Sequence, residues 1–210
     1  MSGLTIALSK GRLLEDSLPI LERVGLAPAS GLDGRQLRLP AARDGVELLV
    51  IRPADVPAYV SHGAADLGIV GKDVLMEQGG QGLYEPLDLG IGACRLSLAA
   101  IPGHWPVRAR RRARIATKYP AITRDYFARR GEQVEIIKLY GSMELAPLVD
   151  LADAIVDLVD TGNTLRANGL DEVETIVEIS ARLVVNQAAM KMKSAAVRAV
   201  VDEIAGAVRA

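Results

Sequence analysis

Cysteine is almost missing from this chain of 210 residues: Cys94 stands alone. One thiol excludes an internal disulfide and any thiolate metal cluster, and it points to a reducing cytoplasm as the setting. Histidine is nearly as scarce. With only His62 and His104, the sequence argues against a zinc site. Aromatics make up 3% of the residues, so the core must be aliphatic, and stacking platforms for single-stranded nucleic acid are not expected. Neither sign of charge dominates. A formal net charge of −1 implies no bulk attraction to nucleic acid or membrane. The opening Met1-Ser2-Gly3-Leu4-Thr5-Ile6-Ala7-Leu8 lacks the basic region and long apolar core of a signal peptide. No apolar run is long enough to span a bilayer.

What the chain does have is an ordinary globular balance, 50% hydrophobic and 24% charged, with enough length for one domain or two small lobes. Leu4 to Ser9 reads as a strand, followed by Lys10-Gly11-Arg12 and an amphipathic helix to about Val24. Gln36 to Pro40 and Glu47 to Ile51 read as strands. Pro53 opens a helix to about His62. Asp66 to Val70 is a buried strand ending in Gly71-Lys72-Asp73 and a helix to about Gln78. Strands and helices alternate with short connections, which predicts a parallel α/β sheet. Leu83 to Gly92 reads as a linker-like extended stretch and Cys94 to Ile101 as a strand. The basic run 107–114 reads as a solvated turn before the strand Ile115-Ala116-Thr117, since no aromatics interleave it. A helix over Ile122–Arg130, a strand over Val134–Leu139, a short helix after Gly141, a strand over Val173–Ile179 and one long helix over Asn186–Val208 complete the chain.

The stretch Ala154-Ile155-Val156-Asp157-Leu158-Val159-Asp160-Thr161-Gly162-Asn163-Thr164-Leu165 stands apart. An apolar run of strand length ends in an acid and then in a tight turn that opens a helix. Such a turn gathers N–H groups and hydroxyls, which suits a phosphate. An ordinary turn with Thr161 or Asn163 as helix N-cap fits the same residues. Lys10 and Arg12 likewise read either as ligand-facing cations at a strand's C-terminal end or as solvated side chains. Arg35, in the turn-rich Gly31-Leu32-Asp33-Gly34-Arg35, reads as surface. Boundaries near residues 87–92 and 178–184 divide the chain into lobe I, residues 1–90 plus 180–210, and lobe II, residues 91–179. The expected fold class is α/β, two-lobed, with a cleft between the lobes.

The blocks Ala7-Leu8-Ser9-Lys10-Gly11-Arg12, Ile51-Arg52-Pro53-Ala54-Asp55-Val56, Ala65-Asp66-Leu67-Gly68-Ile69-Val70-Gly71-Lys72-Asp73, Arg114-Ile115-Ala116-Thr117-Lys118-Tyr119 and Asp157-Leu158-Val159-Asp160-Thr161-Gly162-Asn163-Thr164-Leu165-Arg166 closely resemble the ATP phosphoribosyltransferase family, in order and across essentially the whole chain. The resemblance implies a periplasmic-binding-protein-like fold and a glycosyltransferase of histidine biosynthesis. With Mg²⁺, adenine N1 of ATP attacks the anomeric carbon of phosphoribosyl pyrophosphate, giving phosphoribosyl-ATP and pyrophosphate. The chain stops after its closing helix, so it is similar to the family's short form. That form implies a separate regulatory subunit resembling histidyl-tRNA synthetase, and a homodimer within a hetero-oligomer.

The residues then take expected roles. Arg12 and Arg35 are expected to stabilise the departing pyrophosphate, a task suited to the planar, permanently charged guanidinium. The 5-phosphate is expected on Thr161, Gly162, Asn163, Thr164 and Leu165, with Asp157 and Asp160 at the ribose hydroxyls, directly or through Mg²⁺. Substrate phosphates and water are expected to hold most of the metal's coordination. Lys10, Arg52, Asp66, Gly71 and Lys72 are expected on the nucleotide side, although Asp66 also suits a brace for its own strand. Leu158 and Val159 separate the two acids, unlike the adjacent acids of type I phosphoribosyltransferases. No general base is evident, and adenine N1 needs none. A non-catalytic two-lobed small-molecule receptor is the rival reading, since fold alone does not fix function.

Overall fold

The computed structural model describes residues 3–31, 36–106 and 112–209. Arg35 and residues 107–111 of the basic run lie outside them. The chain divides into two units, Met1–Gly92 with Ser180–Ala210, and Ala93–Ile179.

The first unit grows from alternation. In β1 (Leu4–Ser9), Ile6 and Leu8 face one side and Ala7 the other, as the two-residue period of a strand requires. β1 lies parallel to β3 (Val46–Ile51) and β4 (Leu67–Gly71). β2 (Arg38–Pro40) adds antiparallel to β3. β11 (Ala181–Asn186) lies between β4 and β5 (Leu83–Asp88), antiparallel to both. The order is β2-β3-β1-β4-β11-β5.

Helices α1 (Arg12–Arg23) and α8 (Ser194–Arg209) cover one face, where Leu21, Val197 and Ile204 are buried with Leu8, Leu48 and Leu183. Burying each such side chain contributes roughly 1.5–3 kcal/mol. Helix α2 (Val56–Ser61), reached through a 3-10 turn over Pro53–Asp55, and α3 (Lys72–Gln78) cover the other face. A Cβ at Gly68 would come within 2.8 Å of both Val56 and Val60, so α2 packs closely only because β4 carries glycine there.

The second unit repeats the scheme with other connections. β7 (Ala113–Thr117), β8 (Val134–Lys138) and β9 (Ala154–Val159) are parallel. β6 (Cys94–Ala100) runs antiparallel to β9, and β10 (Asp171–Ile179) antiparallel to β6, in the order β10-β6-β9-β7-β8. Helix α4 (Pro120–Arg129) buries Ile122 and Phe127 against Leu96, Ile115 and Val156. On the opposite face α5 (Leu145–Leu148) and α6 (Asn163–Ala167) bring Ala146 and Leu165 onto Ile155 and Val159.

Three expectations are corrected. Both sheets are mixed rather than parallel. The extended stretch after Leu83 is a true edge strand, paired with the interior strand Ala181–Asn186. The C-terminal helix is two helices, α7 (Gln187–Met192) and α8, parted at Lys193. Asn186 sets the first of these: its side-chain oxygen accepts from Ala189 N, while its amide donates to the carbonyl of Val60 at 2.7 Å.

Candidate functional site

At the C-terminal ends of β1, β3 and β4 the first unit gathers most of its candidate residues. Ser9 pairs with Ile51, and Lys10 N donates to Ile51 O at 2.7 Å, so Lys10 and Arg52 leave adjacent strands side by side. The Ser9 hydroxyl donates to Ile69 O at 2.8 Å and ties β1 to β4 just before Gly71 and Lys72. Gly11 turns the chain at φ +97°, a conformation open to glycine, and Arg12 begins α1. Lys10, Arg12 and Arg52 are exposed. Lys72 is half-buried, with its ammonium 2.6 Å from the Glu85 carboxylate. Glu85 also meets Arg182 at 3.2 Å. At Gly71 a Cβ would fall 2.2 Å from Asp73 Oδ1, so the bare glycine leaves room for the buried Asp73 carboxylate in the first turn of α3.

Asp66 does not join this group. Its carboxylate accepts from Thr5 N and from Lys193 Nζ, both at 2.9 Å, at the opposite end of β1 and β4. Five residue steps along β1 separate Thr5 from Lys10, roughly 16 Å at about 3.3 Å per residue. The contacts seen at this position are those of a brace for β1 and β4.

In the second unit β9 ends at Val159. Asp160 and Thr161 follow, Gly162 adopts φ +74°, and α6 begins at Asn163. The Thr161 hydroxyl accepts from Asn163 N at 3.4 Å. Leu165 is buried among Ile155 and Val159, which leaves only its backbone for a ligand. Asp157, half-buried, accepts from Leu158 N at 2.8 Å, while Asp160 is exposed. Sequence and fold thus bring Asp157, Asp160, Thr161, Gly162, Asn163 and Thr164 to one strand end.

Arg95, Ser97, Glu172 and Thr175, which the sequence did not single out, converge behind this turn. Arg95 grips Glu172 with two hydrogen bonds, Nε at 2.7 Å and a terminal nitrogen at 2.6 Å. Its other terminal nitrogen donates to Asp160 O at 2.9 Å. Ser97 and Thr175 hydroxyls donate to the same Glu172 oxygen at 2.7 and 3.1 Å. The Arg95 fork, with these hydroxyls, lowers the Glu172 pKa to about 2. Arg95 and Ser97, the polar side chains of the largely apolar strand Cys94–Ala100, were the signal available. Thr117, in one of the sequence blocks, is structural: it is buried, donates to Val156 O at 2.7 Å and accepts from Tyr119 N at 2.9 Å.

A cavity of about 560 Å³ between α4 and β8, lined by Arg112, Arg124 and Gln133 among others, contains none of these residues. Mere volume therefore does not mark the candidate site. Among the described residues no group of three His, Cys, Asp or Glu is placed to hold a metal ion, and no helix is long and apolar enough to cross a membrane.

Two mixed sheets in two lobes define a two-lobed α/β protein. The periplasmic aliphatic sulphonate binding protein SsuA from Escherichia coli shares this fold, with a TM-score of 0.63 at 12% identity, over 99% of this chain and 73% of that one. That likeness concerns fold alone. The chain belongs to the ATP phosphoribosyltransferase family: the family's sequence model, described as HisG: ATP phosphoribosyltransferase, matches residues 52–206. An ATP phosphoribosyltransferase of Pseudomonas putida is 57% identical over 206 residues, 98% of this chain and 97% of the relative. One from Methylococcus capsulatus is 65% identical over 191 residues, 90% and 89% of the two chains. Among solved structures, the ATP phosphoribosyl transferase (HisG:HisZ) complex from Thermotoga maritima matches with a TM-score of 0.85 and 32% identity, over 98% of both chains.

Proposed function

We propose that this chain transfers the 5-phosphoribosyl group of phosphoribosyl pyrophosphate to N1 of ATP, releasing pyrophosphate, as the first step of histidine biosynthesis. The observation that carries this reading is the near end-to-end match, at 57% identity, to an ATP phosphoribosyltransferase. Bond breaking at the anomeric carbon builds oxocarbenium character on the sugar and charge on the leaving group. Positioning and charge stabilisation therefore matter more than a base.

The 5-phosphate sits on the turn after β9, where the Thr161 and Gly162 N–H groups and the Thr161 and Thr164 hydroxyls are available to its oxygens. Asn163 and the Leu165 backbone complete the turn, and Asp157 and Asp160 serve the ribose hydroxyls. Arg12 draws off the pyrophosphate. Arg35, outside the described residues, is proposed to act with it. Lys10, Arg52, Gly71 and Lys72 serve the nucleotide, with their common strand edge as support. Asp157 and Asp160 are the acids that would stand beside a Mg²⁺ ion held mainly by the substrate phosphates, where it would neutralise charge on the pyrophosphate.

A separate regulatory subunit is proposed as partner, with the Thermotoga maritima complex as support. The single cysteine favours a reducing cytoplasm. Incubation of the purified chain, alone and with that subunit, with ATP, phosphoribosyl pyrophosphate and Mg²⁺ tests the reading. An absorbing adduct with one equivalent of pyrophosphate is expected. Absence of both products from both mixtures would overturn it.

A further inference from the structure

Two arginines reach the turn after β9, each donating to one of two consecutive carbonyls. Arg95 donates to Asp160 O at 2.9 Å, and Arg166 donates to Thr161 O at 3.0 Å and to Asn163 Oδ1 at 2.6 Å. In a planar trans peptide the C=O and the following N–H point in opposite directions. A carbonyl held toward an arginine therefore turns the next N–H away from it. The Asp160 carbonyl sets the direction of Thr161 N–H, and the Thr161 carbonyl sets that of Gly162 N–H. Each cation also polarises the peptide it holds, which strengthens the N–H on the far side as a donor.

Arg95 is the fixed member of the pair. Its fork is committed to Glu172, whose first oxygen also receives Ser97 and Thr175. Turning Arg95 toward a ligand would strip Glu172 of its charged partner, which costs more than a neutral hydrogen bond. Its guanidinium is thus built to hold the peptide rather than to touch phosphate. Arg166 rests on neutral acceptors on the exposed side of the turn.

We propose that Arg95, locked by Glu172, is a positioning residue that presets the Thr161 N–H, with Arg166 doing the same for Gly162, for the 5-phosphate of a phosphoribosyl substrate. This rests on the function proposed above.

Calorimetric binding of phosphoribosyl pyrophosphate, ribose 5-phosphate and pyrophosphate to the full chain, in Mg²⁺, tests it. Arg95→Ala should weaken both ribose phosphates by a common factor, roughly tenfold, the loss expected for one charge-assisted hydrogen bond. Pyrophosphate, which does not reach the turn, should change by less than about twofold, well under the tenfold scale of that hydrogen bond. Glu172→Gln, which keeps the shape and loosens the fork, should weaken the same two ligands and spare pyrophosphate. Equal affinity of wild type and Arg95→Ala for ribose 5-phosphate would overturn the proposal, as would a parallel loss for pyrophosphate. If Arg95→Ala does not fold, Arg95→Lys and Glu172→Gln decide, and unchanged ribose 5-phosphate affinity in both overturns it. Wild type that binds no phosphoribosyl pyrophosphate would instead strike the underlying function.

Discussion

Lys193 donates through Nζ to the Asp66 carboxylate at 2.9 Å, so the residue that parts the last two helices is tied to the acid that precedes β4. The same oxygen receives Thr5 N, which fixes the start of β1. Asp66→Ala leaves the Thr5 N–H without its acceptor, and leaves the half-buried ammonium with the Gly3 carbonyl but without its counter-charge. A loss of about 2 kcal/mol in urea unfolding is expected. ATP affinity should stay within about twofold, since 1.4 kcal/mol would be needed for tenfold. A large fall in ATP affinity at unchanged stability would return Asp66 to the nucleotide site.

Gly162 holds φ +74°, and a Cβ there would lie 3.0 Å from the Arg166 guanidinium. An L side chain in this conformation costs about 1–2 kcal/mol, and the turn relaxes to escape it. Gly162→Val should therefore weaken phosphoribosyl pyrophosphate while leaving pyrophosphate binding intact. Unchanged affinity for phosphoribosyl pyrophosphate, measured by calorimetry, would count against the turn as its seat.

Glu172 gives the site a pH signature. Arg95, then Ser97 and Thr175, hold its carboxyl at about 2 against an ordinary 4.5. A depressed carboxylate contributes stability that is full above the ordinary value and lost as pH falls through the folded one. The stability difference between wild type and Glu172→Gln should thus be constant near neutrality and shrink as pH drops from 4.5 toward 2. Urea midpoints across that range read it. A difference that stays constant would mean that the pairing with Arg95 is not made in solution.

Arg12 stands exposed at the start of α1, beside the turn at Gly11. A cation that meets charge developing on the leaving group acts mainly in the transition state. Arg12→Ala should lower kcat on the order of a hundredfold, with a smaller change in phosphoribosyl pyrophosphate affinity. A loss confined to affinity would give Arg12 a role in the ground state alone.

Local features were legible in the sequence, and distant partnerships were not. The apolar run to Val159 and the Thr-Gly-Asn-Thr turn predicted β9 and the opening of α6 because each signal is contained within a few residues. Lys10 and Arg52 could be placed at strand ends, but only the β1–β3 register brings them together. β5 escaped notice because it is an edge strand carrying Pro86, exposed along most of its length, and its partner β11 lies far away in sequence. β11 was not read as a strand either, since an apolar run does not announce which strands will flank it. Strand direction was misread for the same reason: β6 and β9 are antiparallel although helices intervene between them. The break at Lys193 carries no Pro or Gly, and the contacts of Lys193 with Gly3 and Asp66 lie at the other end of the chain. Glu172 is 77 residues from Arg95, so their pairing could emerge only from the fold.

The most direct measurement is a crystal structure of the chain with phosphoribosyl pyrophosphate and Mg²⁺ bound. The 5-phosphate is expected within hydrogen-bonding distance of the N–H groups of Thr161 and Gly162, with Arg95 still on the Asp160 carbonyl and Asp157 or Asp160 at the ribose. A phosphoribosyl group bound away from residues 157–165 would contradict the account.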